Sequence, residues 1–182
     1  MRLTLLCHGG TRSMREGSFA DPAEPLDEGG ERKARRHAPI AGMAALCSPA
    51  VAAGQTMAIV SGQGTVDPAL RDLSFGAWTG RPFTDVHGAD PERFAAWLAD
   101  PTLAAPGGES FAAVVERVGA WLDRCRGAER PILAITHPTI IRAALVAALD
   151  MPPVATMRID IGPLTSVDLS CHRMWRLQAI RP

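Results

Sequence analysis

The chain has 182 residues, 47% of them hydrophobic, which is enough for one sizeable core and excludes a disordered chain. Its 19 basic residues balance 19 acidic ones, so nothing draws the whole protein toward nucleic acid or an anionic surface. No apolar run approaches the ~20 residues of a membrane span, and Met1–Leu6 is too short for a signal peptide, so a cytoplasmic location without membrane attachment is expected.

Arg2 to Leu6 reads as a buried strand that runs into the turn Cys7-His8-Gly9-Gly10. Residues 12–28 are polar and broken by Gly17, Pro22 and Pro25, which predicts a loop. Asp27 can cap a helix that runs to about Leu46. Ser48-Pro49 predicts another, with Ser48 as N-cap and Pro49 at the first helical position, continuing through Val60. Residues 63–74 read as irregular, and Phe75 to Gly80 as a glycine-bounded aromatic loop. Asp90-Pro91-Glu92 opens a helix bearing Phe94, Trp97 and Leu98. Residues 109–126 carry Phe111, Val114, Val115, Val118 and Leu122 at helical spacing. Pro131 to Thr136 is a second buried strand, ending at His137, and Pro138 starts a helix through Leu149. Alternation at Met157, Ile159 and Ile161, then Val167 and Leu169, then Trp175 and Leu177, predicts antiparallel or edge strands. Strands alternating with helices predict an α/β fold: a three-layer sandwich whose mostly parallel central sheet has helices on both faces, formed by one domain over residues 1–182. Cys7, Cys47, Cys125 and Cys171 lie far apart with no C-x-x-C pair and read as free thiols.

His8 and His137 each follow a buried strand directly, and ligands of open parallel sheets sit at the carboxyl ends of strands. If the two strands are neighbours, both imidazoles enter one crevice. Around them lie Leu5-Leu6-Cys7-His8-Gly9, Pro25-Leu26-Asp27-Glu28-Gly29, Ser48-Pro49-Ala50-Val51-Ala52-Ala53-Gly54-Gln55-Thr56, Leu70-Arg71-Asp72-Leu73-Ser74-Phe75-Gly76-Ala77-Trp78-Thr79-Gly80, Gly107-Gly108-Glu109-Ser110 and Thr136-His137. Taken in this order, these segments resemble the motif series of the histidine phosphatase (phosphoglycerate mutase-like) superfamily, and the similarity covers most of residues 1–149.

The resemblance implies phosphomonoester hydrolysis of a small molecule, with His8 attacking phosphorus to form a phosphohistidine. His137 would donate a hydrogen bond to the phosphoryl oxygens, and Asp72 stands where the family's general acid, usually Glu, belongs. Gly9, Thr11, Ser48 and Glu109 are phosphate-pocket candidates. The family's two phosphate-gripping arginines are replaced by Cys7 and Ala52. Phosphoryl transfer depends on neutralising the equatorial oxygens, so slow turnover or a relocated cation is expected. Arg12 and Arg15, on the segment leaving the His8 turn, are the first candidates, and Arg71 and Arg142 also flank the motifs. Of the tryptophans, Trp78 is expected near a ligand, and Trp97 and Trp121 in helix cores. Cys7 and Arg12 are one residue short of the Cys-x5-Arg spacing of cysteine phosphatases. No metal or cofactor is expected, and a homodimer is left open. The rival reading is an inactive family member that binds a phospho-ligand or a protein partner.

Overall fold

A computed structural model describes residues 1–182. The apolar run at the start of the chain forms β1 (Arg2–Cys7), followed by a short helix α1 (Arg12–Glu16) and then α2 (Glu28–Arg36). Next come β2 (Ala44–Cys47), α3 (Val51–Val60) and β3 (Thr65–Val66). The middle of the chain is helical: α4 (Phe83–Ala89), α5 (Pro91–Ala99) and α6 (Phe111–Cys125). The remainder is β4 (Ile132–Thr136), α7 (Pro138–Leu149), α8 (Pro153–Thr156), β5 (Ser166–Cys171) and β6 (Trp175–Arg181).

The six strands make one sheet in the order β3-β2-β4-β1-β5-β6. β1, β2, β3 and β4 run parallel, while β5 and β6 are antiparallel to their neighbours. Side chains alternate across the two central strands. Leu3, Leu5, Ile132 and Ala134 face a core shared with α6 and α7; Leu6, Leu133 and Ile135 face Ala53 and Val60 of α3. The sheet is thus covered on both faces, as the alternation of elements predicted. No helix is long and apolar enough to cross a membrane.

Several expected elements shift. The helix predicted from Asp27 to Leu46 ends at Arg36, and Ala44–Cys47 is a strand in register with Ile132–Ile135. Pro39 and Gly42 break the helix between them, and the alanine-rich strand carries none of the β-branched residues that mark a strand. Residues 12–16, expected as loop, form α1, capped by Thr11 and ended by Gly17 at φ +70°. Ser48 is not the N-cap of α3; Ala50 is, and the Ser48 hydroxyl accepts from the Ala50 amide at 3.2 Å. Residues 63–74, expected as irregular, contain β3 and a single 3-10 turn at Pro68–Leu70. Met157, Ile159 and Ile161 form no strand; the edge of β1 is taken by β5, and these residues lie in the turns that follow α8.

The turn after β1 lies directly against α2. A Cβ at Gly30 would come within 2.6 Å of the Gly10 nitrogen and closer still to its carbonyl oxygen. Gly54, in the middle of α3, has open space around it. Gly30→Ala should therefore lose about 1–3 kcal/mol by forcing the His8 turn off α2. Gly54→Ala should gain about 0.5–1 kcal/mol from helix propensity. Urea unfolding of the two variants beside the wild type reads both signs.

Candidate active site

Three strand ends converge. β1 delivers His8, β2 delivers Ser48 and β4 delivers His137. The His8 amide donates to the Thr136 carbonyl at 2.9 Å and the Ser48 amide to the Ile135 carbonyl at 2.9 Å, so both residues stay tied to β4. The imidazoles of His8 and His137 meet edge to face, with ring centroids 4.9 Å apart. His8 Nδ1 lies 2.7 Å from the Gly9 carbonyl oxygen. A carbonyl only accepts, so Nδ1 carries the proton and Nε2 keeps its lone pair. His137 Nε2 lies 2.7 Å from the Ser48 hydroxyl, and its Nδ1 is buried 3.5 Å from Asp72 Oδ2, too far for a good hydrogen bond.

Burial dominates the electrostatics. It lowers His8 to about 4, with His137 adding to the effect, and lowers His137 to about 3, helped by the charge of Arg117. Burial raises the Asp72 carboxyl to about 6 against the opposing hydrogen bond from the Leu73 amide. At neutral pH the site therefore holds two neutral imidazoles beside a carboxyl that takes up a proton readily.

Asp72 sits on a segment fixed from two sides. Thr136 Oγ1 donates to the Leu70 carbonyl at 2.8 Å. From α6, Arg117 donates to the carbonyls of Ala69 (2.6 Å) and Arg71 (3.1 Å) and makes a two-pronged pair with Glu109 at 3.2 and 2.9 Å. Glu109 also receives Arg71 at 3.1 Å. The expected phosphate candidate Glu109 does not line the cavity, because both its oxygens are taken by arginines.

The cavity above the histidines has a volume of about 1010 Å³. Thr11, Ser48 and Ala52 line it; Gly9 does not, and its close approach is to Leu26 and the Gly30 carbonyl rather than to a ligand. Arg12 and Arg15 lie outside. Arg12 pairs with Glu16 and Arg15 with Asp27, and the two side chains are 73% and 60% exposed. Cys7 is fully buried in the main core, where burial pushes its thiol far above the usual range. Arg71 and Arg142 do line the cavity.

Phe19, Phe75, Phe83, Phe94 and Trp97 form an aromatic wall. Trp97, expected in a helix core, lines the cavity, and Trp78 packs behind it with ring centroids 5.4 Å apart. Trp121 is buried against the sheet, as expected. Sequence reasoning missed Phe19 and Arg117. Phe19 left a signal, a lone aromatic in a polar stretch; Arg117 left none beyond its place on a helix face.

The sequence profile of the histidine phosphatase superfamily (branch 1) matches residues 3–178. The chain belongs to the histidine phosphatase superfamily. It is 30% identical over 185 residues to the adenosylcobalamin/alpha-ribazole phosphatase of Salmonella typhimurium, spanning 93% of this chain and 91% of that protein. It is 34% identical over 167 residues to the bifunctional protein Rv2228c of Mycobacterium tuberculosis, but that match spans 82% of this chain and only 44% of its relative. The fold superposes on the alpha-ribazole phosphatase of Shigella flexneri with a TM-score of 0.87 over 99% of this chain and 96% of that one, at 24% identity.

The Glu109–Arg117 pair should hold the Asp72 segment in place. Glu109→Ala is expected to cost about 1–3 kcal/mol, because it leaves the Arg117 guanidinium with its two backbone acceptors but no ion-pair partner. Hydrogen exchange should accelerate at the amides of Leu70 and Leu73 and stay unchanged in β5.

Proposed function

We propose that this chain is a phosphomonoesterase that works through a phosphohistidine at His8. The observation that carries the reading is the forced tautomer of His8: its Nδ1 proton is committed to the Gly9 carbonyl, and Nε2 is left as a nucleophile beside His137. In the first step His8 Nε2 bonds to phosphorus and the ester P–O bond breaks, while the Asp72 carboxyl gives its proton to the leaving oxygen. The Gly9 carbonyl stabilises the positive charge that the ring acquires. In the second step water attacks phosphorus, Asp72 takes a proton from that water, and the P–N bond breaks to release phosphate. His137, Ser48 and Thr11 line the cavity with His8, which supports a role for them in meeting the phosphoryl oxygens. Similarity to a protein named as a phosphatase over nearly its whole length supports the reaction class. The aromatic wall and a volume at the upper end of ligand-sized cavities support a bulky, largely apolar leaving group.

A second reading, an inactive member that binds a phospho-ligand, is favoured by Cys7 and Ala52 at the two arginine positions. Rapid quenching with an aryl phosphate separates the two. Acid-labile phosphate on His8, absent in His8→Ala, is expected; phosphate binding without labelling or turnover would establish the inactive reading instead.

The pH profile is also fixed by the site. His8 attacks only when neutral, so kcat/KM should rise as pH passes about 4. Asp72 must hold a proton, so kcat/KM should fall as pH passes about 6. With an alkyl phosphate, Asp72→Asn should lower the optimum by about 10²–10⁴ and remove the upper limb. A limb that persists in the variant belongs to the substrate's own ionisation rather than to Asp72.

A further inference from the structure

The cavity holds two cationic side chains, and they differ in one respect. Arg71 is already paired with Glu109 at 3.1 Å and is 46% exposed. Arg142 is half-buried and makes no ion pair. One of its Nη atoms donates to the Ile159 carbonyl at 3.2 Å, and its Nε is buried with no partner. Desolvation lowers its pKa, and the largest acidic influence, Asp160, forms no ion pair with it. The buried Nε is closed off from the cavity, but the other Nη makes no hydrogen bond, and an anion in the cavity would supply its acceptor.

Its position suits the phosphoryl group. Pro138, Thr139 and Arg142 put one face of α7 on the cavity, so the guanidinium is carried by the same rigid helix that begins at His137. The first turn of α7 points the same way. Pro138 has no amide proton, and the first α7 amide to find a backbone acceptor is that of Ile141, on the His137 carbonyl at 3.0 Å. The amides of Thr139 and Ile140 are thereby left without one, at the positive end of the helix.

We infer that Arg142 is the phosphoryl-gripping residue of this chain, its cation entering from α7 in place of the arginines replaced by Cys7 and Ala52. The inference rests on the phosphatase reading and adds the source of the charge. Arg142 holds the equatorial oxygens during transfer to and from His8, and its planar fork offers two parallel donors where a lysine offers a point charge.

Calorimetric titration of the folded protein with inorganic phosphate and orthovanadate tests it, with rapid-quench labelling of His8 in parallel. Arg142→Gln keeps a donor for the Ile159 carbonyl but removes the charge. It should weaken both oxyanions about ten- to a hundredfold and lower His8 labelling. Arg142→Lys should recover part of both, and Arg12→Ala should leave oxyanion affinity within about twofold. Unchanged phosphate and vanadate affinity in a folded Arg142→Gln overturns the inference while wild-type labelling keeps the phosphatase reading. Lost ester turnover with unchanged oxyanion affinity also overturns it, by moving Arg142 to the leaving group. If Arg142→Gln does not fold, the Arg142→Lys titration decides alone, and full wild-type affinity and labelling there overturns the bidentate role. A wild type that neither binds phosphate nor labels at His8 overturns both readings.

Discussion

In the register that pairs Leu6 with Ile135 and Cys7 with Thr136, the amide of His8 still donates to the carbonyl of Thr136, so the two imidazoles leave their strands side by side. That pairing is buried on both faces, and a slip of one residue would turn His8 into the core and Cys7 toward the cavity. β2 joins the opposite edge of β4 in the same direction and adds Ser48. The geometry of the candidate site is thus a property of the sheet, and the surrounding loops refine it.

Burial and charge are in tension throughout the site. Two imidazoles with lowered pKa values, a carboxyl with a raised one and a fully buried cysteine together describe a centre with little net charge. Bringing a phosphate dianion into such a place costs desolvation that only aligned donors offset. The Asp72 segment is fixed by a pair, Glu109 and Arg117, whose side chains stay outside the cavity, although the charge of Arg117 is still felt at His137 and Asp72.

The central strands, the helices after Asp90 and Pro138 and the convergence of His8 with His137 were legible because long apolar runs and capping residues state them locally. β2 was not: Ala44 to Cys47 has no β-branched residue, and its strand character comes only from hydrogen bonds offered by β4. Missing that strand concealed why Ser48 meets His137. The sequence placed Arg12 and Arg15 near the turn but could not show that Glu16 and Asp27 already hold them. The aromatic wall was hidden for a similar reason, since Phe19 and Trp97 are far apart in the chain and meet only through tertiary packing at 5.6 Å.

Most of that wall belongs to a small second core, built from Phe19, Trp78, Val86 and Ala105 with Phe75, Phe94 and Trp97 against them, and Phe75 also packs on the main core. Backbone bonds from Phe19 to Arg81, Gly80 to Phe19 and Phe83 to Gly17 tie its segments to one another, not to the six strands. Exchanging its aromatic residues would reshape the cavity above the histidines and leave the register of β1 and β4 in place. The walls of the cavity and the strand ends beneath it can therefore vary through largely different sets of residues. The collar of the cavity can thus change while the strand ends that carry His8 and His137 stay fixed.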